Sequence, residues 1–122
     1  MKQPPPHIVV ADDDPQILKL FTRLLTKHGY SVTPVDSGTG ALQALDEQPV
    51  DLLVLDLSMP QPDGFDLLKS LRRDRPGLRI LVISGFMQGA LLKASEILGA
   101  TASLSKTEAP ASLVKTVDAL LQ

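Results

Sequence analysis

Apolar residues recur along this chain with two spacings, and the two alternate. Continuous apolar runs stand at Ile8-Val9-Val10-Ala11, which is β-branched, and at Leu52-Leu53-Val54-Leu55; Leu78 to Ser84 is apolar apart from Arg79 until the hydroxyl at its end. Bounded by turn residues, such runs predict strands buried on both faces. Ser31-Val32-Thr33-Pro34-Val35 is β-rich but carries a proline, which predicts an edge strand. Ala102-Ser103-Leu104-Ser105 predicts a weaker fifth strand, ending in Lys106. Between these runs the apolar residues fall three and four apart, the spacing of a helix face. They are Ile17, Leu18, Phe21, Leu24 and Leu25, then Ala41, Leu42 and Leu45 in a helix from Gly38 to Gln48. Phe65, Leu67, Leu68 and Leu71 mark a third helix, and Ala90, Leu91, Ala94, Ile97 and Leu98 a fourth. Leu113, Val114, Val117, Leu120 and Leu121 mark a fifth, opened by Pro110. These stripes are expected to face the core. Asp14-Pro15 predicts an N-cap followed by the first helical residue. Gly29 suits a left-handed C-cap, and Pro49, Pro76-Gly77 and Gly99 stop later elements.

Strand and helix therefore alternate five times, which implies a parallel sheet covered on both faces by right-handed crossovers. Order 2-1-3-4-5 puts the proline-bearing strand at an edge: an α/β, flavodoxin-like, doubly wound (βα)5 sandwich. In that order the first and third strands are neighbours where the winding reverses. Ligands bind such sheets at the carboxyl ends of the strands, at this switch point. The carboxyl ends carry Asp12 and Asp13, Asp56, Ser84 and Lys106.

Composition narrows the possibilities. A chain of 122 residues is expected to be one domain. We expect residues 1–7, with three consecutive prolines, to be a flexible arm and 8–122 to be the folded unit. There is no cysteine, so disulfides and thiolate metal sites are excluded. A net charge of −2 and 3% aromatic residues give neither a basic footprint nor stacking platforms for nucleic acid. No apolar run reaches the ~18 residues a membrane span needs, and there is no signal-peptide core. A cytoplasmic location is expected.

Three carboxylates in one small site repel unless something positive joins them. A hard divalent cation resolves this, and Mg²⁺ fits few carboxylates and retained waters. Lys106 adds a fixed positive charge and Ser84 a neutral donor. A carboxylate, Mg²⁺, an ammonium and a hydroxyl together can receive a phosphoryl group. Asp14 reads as a cap and Asp63-Gly64 as turn and helix-start chemistry. Met59 and Pro60 shape the loop, and His7 and His28 read as surface residues.

On these residues the chain resembles the receiver domain of two-component response regulators, over essentially everything after the proline arm. The resemblance rests on the acidic pair after the first strand and on Asp56-Leu57-Ser58-Met59-Pro60-Gln61-Pro62-Asp63-Gly64. Ser84-Gly85 and Lys106 complete it. It implies that Asp56 is the phosphoacceptor, that Asp13 binds Mg²⁺ directly, and that Asp12 does so directly or through water. It implies the backbone carbonyl of Ser58 as a further metal ligand. Ser84 would bond a phosphoryl oxygen and act as the switch, and Lys106 would pair with Asp56 and then with the phosphoryl group. The donor would be a phosphohistidine on a histidine kinase or phosphotransfer protein. The switch would bias the Gly85–Gly89 loop, and the output surface would be the fourth helix, fifth strand and fifth helix. An effector domain or downstream protein would read it, and a homodimer on phosphorylation fits the same pattern. Such a domain is a signalling switch rather than an enzyme, although it assists its own phosphotransfer and dephosphorylation. Phe86 lies where the family's hydrolytic water passes, so a long-lived phosphoryl group is expected, shortened in Phe86→Ala.

Two positions depart from the family. Ser103 stands where an aromatic is usual, so switching by ring rotation cannot operate in its common form. Thr107 replaces the usual proline after the lysine, and a cis bond there would cost roughly 3 kcal/mol. Three other readings compete. A haloacid-dehalogenase-type phosphatase would need a second aspartate at position 58, which is Ser58. An FMN binder would need a hydroxyl- and glycine-rich loop where Asp12-Asp13-Asp14 stand. A receiver-like interaction module that works without phosphorylation is kept open by Ser103.

Overall fold

A computed structural model of the chain describes residues 4–57, 59, 64–85 and 89–122. Five strands are present: β1 (His7–Ala11), β2 (Ser31–Val35), β3 (Leu52–Asp56), β4 (Arg79–Ser84) and β5 (Ala102–Ser105). Five helices follow them in turn: α1 (Pro15–Lys27), α2 (Gly38–Glu47), α3 (Gly64–Asp74), α4 (Gly89–Ile97) and α5 (Ala109–Leu120). The strands form one parallel sheet in the order β2-β1-β3-β4-β5. Pro34 lies on the edge strand opposite Val10, where its missing N–H leaves no inner ladder bond unmade.

The sheet is buried on both faces because successive side chains point to opposite sides. Val9, Ala11, Leu53, Leu55, Ile80 and Val82 pack with α2 and α3 on one face. Ile8, Val10, Leu52, Val54, Leu81 and Ile83 pack on the other face, against Phe21 and Leu25 of α1 and Leu113 and Val117 of α5.

The local signals act as their chemistry requires. Asp14 Oδ1 accepts from the N–H groups of Gln16 (2.9 Å) and Ile17 (3.4 Å), with Pro15 opening α1. Gly29 takes the left-handed conformation at φ +97°. Gly99 sits at φ +130°, and Arg72 donates to its carbonyl from Nε (2.8 Å) and from a terminal nitrogen (2.6 Å). That guanidinium also reaches the Pro76 carbonyl at 2.8 Å, so it joins the end of α3 to the end of α4. Remote from the acidic edge, Asp118 of α5 joins His28 (3.2 Å) and the Tyr30 hydroxyl, which tethers α5 to the end of α1. Burial, with this carboxylate beside it, pushes the Tyr30 phenol up to about 12.

Several expectations need correction. β1 begins at His7, one residue ahead of the apolar run: His7 pairs with Ser31 in the ladder, its carbonyl accepts from Asp51 N–H (2.8 Å), and its N–H donates to Asp51 Oδ2 (2.8 Å). Its ring lies 2.7 Å from Thr33 Oγ1 and 3.1 Å from the Pro49 carbonyl, so it is half-buried rather than a free surface group. The Pro6 carbonyl accepts from Ser31 N–H (3.0 Å), and residues 1–3 of the expected arm lie outside the described residues. Among the described residues, two positions expected on the core face are exposed: Leu42 at 39% and Ile97 at 86%. On α2 the buried arc is Gly38, Ala41, Ala44 and Leu45, from which Leu42 is rotated away. On α4 Ser95 is fully buried, and Ile97 two residues on is exposed.

Candidate functional site

The site lies at the carboxyl ends of β1 and β3, where the winding of the sheet reverses. The hydrophobic run of β3 carries Asp56 to the end of a strand buried throughout, leaving it 1% exposed. Leu57 N–H donates to the Ile83 carbonyl (3.0 Å), so the chain stays sheet-like one residue beyond Asp56. Asp12 N–H donates to the Val35 carbonyl (3.1 Å), and Asp12 is likewise 1% exposed. Asp13, next along, is exposed. One carboxylate oxygen from each of Asp12, Asp13 and Asp56 falls within 4.8 Å of the others.

Lys106 completes the group from β5. Its backbone N–H donates to the Ser84 carbonyl at 3.0 Å, extending the β4–β5 ladder by one bond. Its ammonium donates to Asp56 Oδ2 at 3.2 Å and lies 3.6 Å from Asp12 Oδ2. Gly85 gives the lysine stem its path: a Cβ there would stand 3.3 Å from Lys106 Cδ. Ser84 is buried at the end of β4, one strand from Asp56. Ser58 and Phe86 lie outside the described residues, as do the Asp63 turn and residues 86–88 of the Gly85–Gly89 loop.

The electrostatics follow from burial. Burial pushes the Asp12 carboxyl up to about 6, and Asp56 adds to it, against the Asp14 N–H and Lys106. That N–H donates to Asp12 Oδ1 at 2.8 Å. Burial pulls the Lys106 ammonium down, but Asp56 and Asp12 outweigh it and hold it above the usual lysine range. Asp12 Oδ2 is buried with no hydrogen-bond partner among the described residues. Three ionised carboxylates against one ammonium leave a charge of about −2 at an oxygen-only cluster. That donor set fits a hard divalent cation.

Some contacts escaped the sequence reading. Gly64 is more than a turn residue: a Cβ on it would stand 2.6 Å from the Leu57 carbonyl oxygen and 2.7 Å from Leu57 Cα. The start of α3 therefore presses directly on the residue after Asp56. Ser105 and Glu108 bond reciprocally around Lys106: Glu108 N–H donates to Ser105 Oγ (3.1 Å), and Ser105 N–H to Glu108 Oε1 (3.2 Å). The sequence signal was Ser-x-x-Glu, the capping-box spacing. Ser103, at the position of the missing aromatic, donates to Glu96 Oε2 of α4 at 2.7 Å.

Comparison with known proteins identifies the family and the fold. A family model described as the response regulator receiver domain matches residues 8–118. The response regulator receiver protein CpdR of Brucella abortus is 34% identical over 115 residues, covering 94% of this chain and 96% of that protein. The transcriptional regulatory protein GlrR of Escherichia coli is 37% identical over 84 residues, 69% of this chain. The aligned part is only 19% of GlrR's length. Among solved structures, the receiver domain of the Francisella response regulator 1452 superposes with a TM-score of 0.88 at 27% identity, covering 95% of this chain and 96% of that one. The Thermotoga maritima response regulator TrrA, solved in complex with Mg²⁺–BeF, gives 0.84 at 25% identity, covering 95% and 99%.

Proposed function

The chain belongs to the response regulator receiver family, and on that premise we propose that it takes a phosphoryl group onto Asp56 from a phosphohistidine on a partner kinase or phosphotransfer protein. The observation that carries this reading is the Lys106 ammonium, 3.2 Å from Asp56 Oδ2 inside a cluster that also holds Asp12 and Asp13. In the step, an Asp56 carboxylate oxygen attacks phosphorus, the phosphorus–nitrogen bond of the donor breaks, and the imidazole leaves with that electron pair. Lys106, already paired with Asp56, balances charge as it spreads onto the phosphoryl oxygens. Ser84, at the end of the neighbouring strand, offers a hydroxyl to one of those oxygens. Asp12, Asp13 and Asp56, with the Ser58 carbonyl, would hold Mg²⁺, and the orphaned Asp12 Oδ2 supports that assignment. Bound there, the cation would neutralise phosphoryl charge in both transfer and hydrolysis.

The output follows from charge. Phosphorylation adds about −1.5 to −2 at this edge of the sheet. We read α4, β5 and α5 as the surface that responds, and Ile97, 86% exposed on α4, supports its use by an effector or second protein. With Ser103 in place of an aromatic, its bond to Glu96 is one link between β5 and α4. The domain acts on this reading as a cytoplasmic switch rather than a turnover enzyme.

The test is incubation with acetyl phosphate and Mg²⁺ followed by intact mass. Gain of one phosphoryl group, absent in Asp56→Asn and in EDTA, is expected. A folded protein that gains nothing would instead favour the interaction module that works without phosphorylation.

A further inference from the structure

We infer that Ser105 and Glu108 are positioning residues for Lys106: their reciprocal hydrogen bonds hold the turn that presents its ammonium to Asp56. The inference rests on the phosphoacceptor reading of Asp56 and concerns how this chain's own loop serves it.

A lysine side chain has many rotamers, and holding its nitrogen on two carboxylates requires a fixed backbone on both sides. On the strand side the fixing is the sheet ladder, through Lys106 N–H to the Ser84 carbonyl at 3.0 Å. Ladder bonds alternate along a strand, so the Ser105 N–H points to the open edge of β5, away from β4. Glu108 Oε1 accepts it at 3.2 Å and also accepts the Ser105 hydroxyl at 3.0 Å. On the helix side, Glu108 N–H returns a bond to Ser105 Oγ at 3.1 Å. Lys106 and Thr107 are the two residues enclosed by this loop of bonds.

Glu108 is also the residue that precedes α5, yet its side chain makes no capping bond to that helix. Its carboxylate turns backwards to the strand instead. Thr107 carries no ring to preset the backbone after Lys106, so the turn takes its shape from hydrogen bonds rather than from covalent geometry. The Ser-x-x-Glu spacing is thus used here as a clamp on the lysine between its two ends.

The experiment compares wild type, Glu108→Ala, Glu108→Gln, Lys106→Ala and the double variant Lys106→Ala/Glu108→Ala. The rate of mass gain with acetyl phosphate and Mg²⁺ is followed beside the far-UV circular dichroism melt. Glu108→Ala is expected to slow uptake about fivefold with a cooperative melt retained. Glu108→Gln, whose amide oxygen still accepts, is expected to recover most of the rate. In the Lys106→Ala background, Glu108→Ala is expected to add no further slowing, because its effect passes through the lysine. Equal added slowing in that background, or no slowing in Glu108→Ala, overturns the inference. Should wild type itself gain no phosphoryl group, the function proposed for Asp56 fails, and the Lys106 Hε resonances decide this inference alone. They should be dispersed in wild type and collapse toward the free-lysine position in Glu108→Ala; unchanged dispersion overturns it.

Discussion

At the scale of single residues, Asp12 makes the most direct prediction. Its carboxyl is pushed up to about 6 chiefly by burial, with Asp56 adding to the effect. The unfolded chain releases that proton near the ordinary value of 3.8. Between those two values the folded chain binds more protons than the unfolded one, so stability falls as pH rises through the window. Asp12→Asn removes that loss. In EDTA, urea denaturation at pH 7.5 should find the variant more stable than wild type by on the order of 1–3 kcal/mol. The difference should shrink towards zero near pH 4. A wild type that does not lose stability between pH 4 and 7.5 relative to Asp12→Asn would show that the buried carboxyl is relieved by some other group. The placement of Asp12, Asp56, Ser84 and Lys106 was legible because each stands at or one residue past the end of a strand, and strand ends can be read from where an apolar run stops. The Lys106–Asp56 pair was expected as well, but the supporting contacts around the site were not. Ser103 meets Glu96 across two elements, a contact that no spacing announces. The Ser105–Glu108 pair did have a readable spacing, but a capping box points to a helix start, and here it closes around the lysine instead.

At the scale of elements, the tightest constraint is the approach of α3 to the end of β3. Any side chain at Gly64 meets the Leu57 backbone at 2.6 to 2.7 Å, and backbone cannot swing aside as a flexible side chain can. Gly64→Ala should therefore destabilise the fold by about 1–3 kcal/mol in urea denaturation, the usual cost of overpacking. Gly77→Ala is the matched control, since nothing lies within 4 Å of a Cβ there, and it should stay within about 0.5 kcal/mol. Equal effects of the two substitutions would mean that the Gly64 contact relaxes freely. The elements were readable where sequence punctuates strongly, as at Asp14-Pro15 and Gly29, and where proline sent β2 to the edge. Helix faces were less so. The inward residues of α2 and α4 include Gly38, Ala44 and Ser95, which are too small or polar to register as an apolar stripe. Apolar spacing turned Leu42 and Ile97 inward with the alanines beside them, whereas the packing leaves both exposed.

For the whole molecule, the parallel order gathers acids that are distant in sequence onto one edge, and the proposed cation bound there would tie global stability to its concentration. A ligand that binds only the folded chain stabilises it by RT ln(1 + [L]/Kd), about 2.7 kcal/mol at a hundredfold excess over Kd. Metal-ligating carboxylates must be ionised, so a proton on Asp12 competes with the cation. The midpoint of Asp12 at about 6 then sets the pH dependence of the effect. Above that value the site is fully available. Below it, as Asp12 takes up its proton in the metal-free folded state, the apparent Mg²⁺ affinity should fall, approaching about tenfold per pH unit. Thermal melts across a Mg²⁺ titration should therefore show stabilisation at pH 7.5 at concentrations that do little at pH 5. This runs opposite to the metal-free protein, whose Asp12 contribution favours the lower pH. The two effects should cross, with Mg²⁺ raising the melting temperature most where the metal-free chain suffers most from its buried charge. Lys106 tempers both, since its ammonium already offsets part of that charge, and Lys106→Ala should enlarge the Mg²⁺-dependent shift at pH 7.5. Identical Mg²⁺ titration curves at the two pH values would rule out Asp12 as a ligand of the cation.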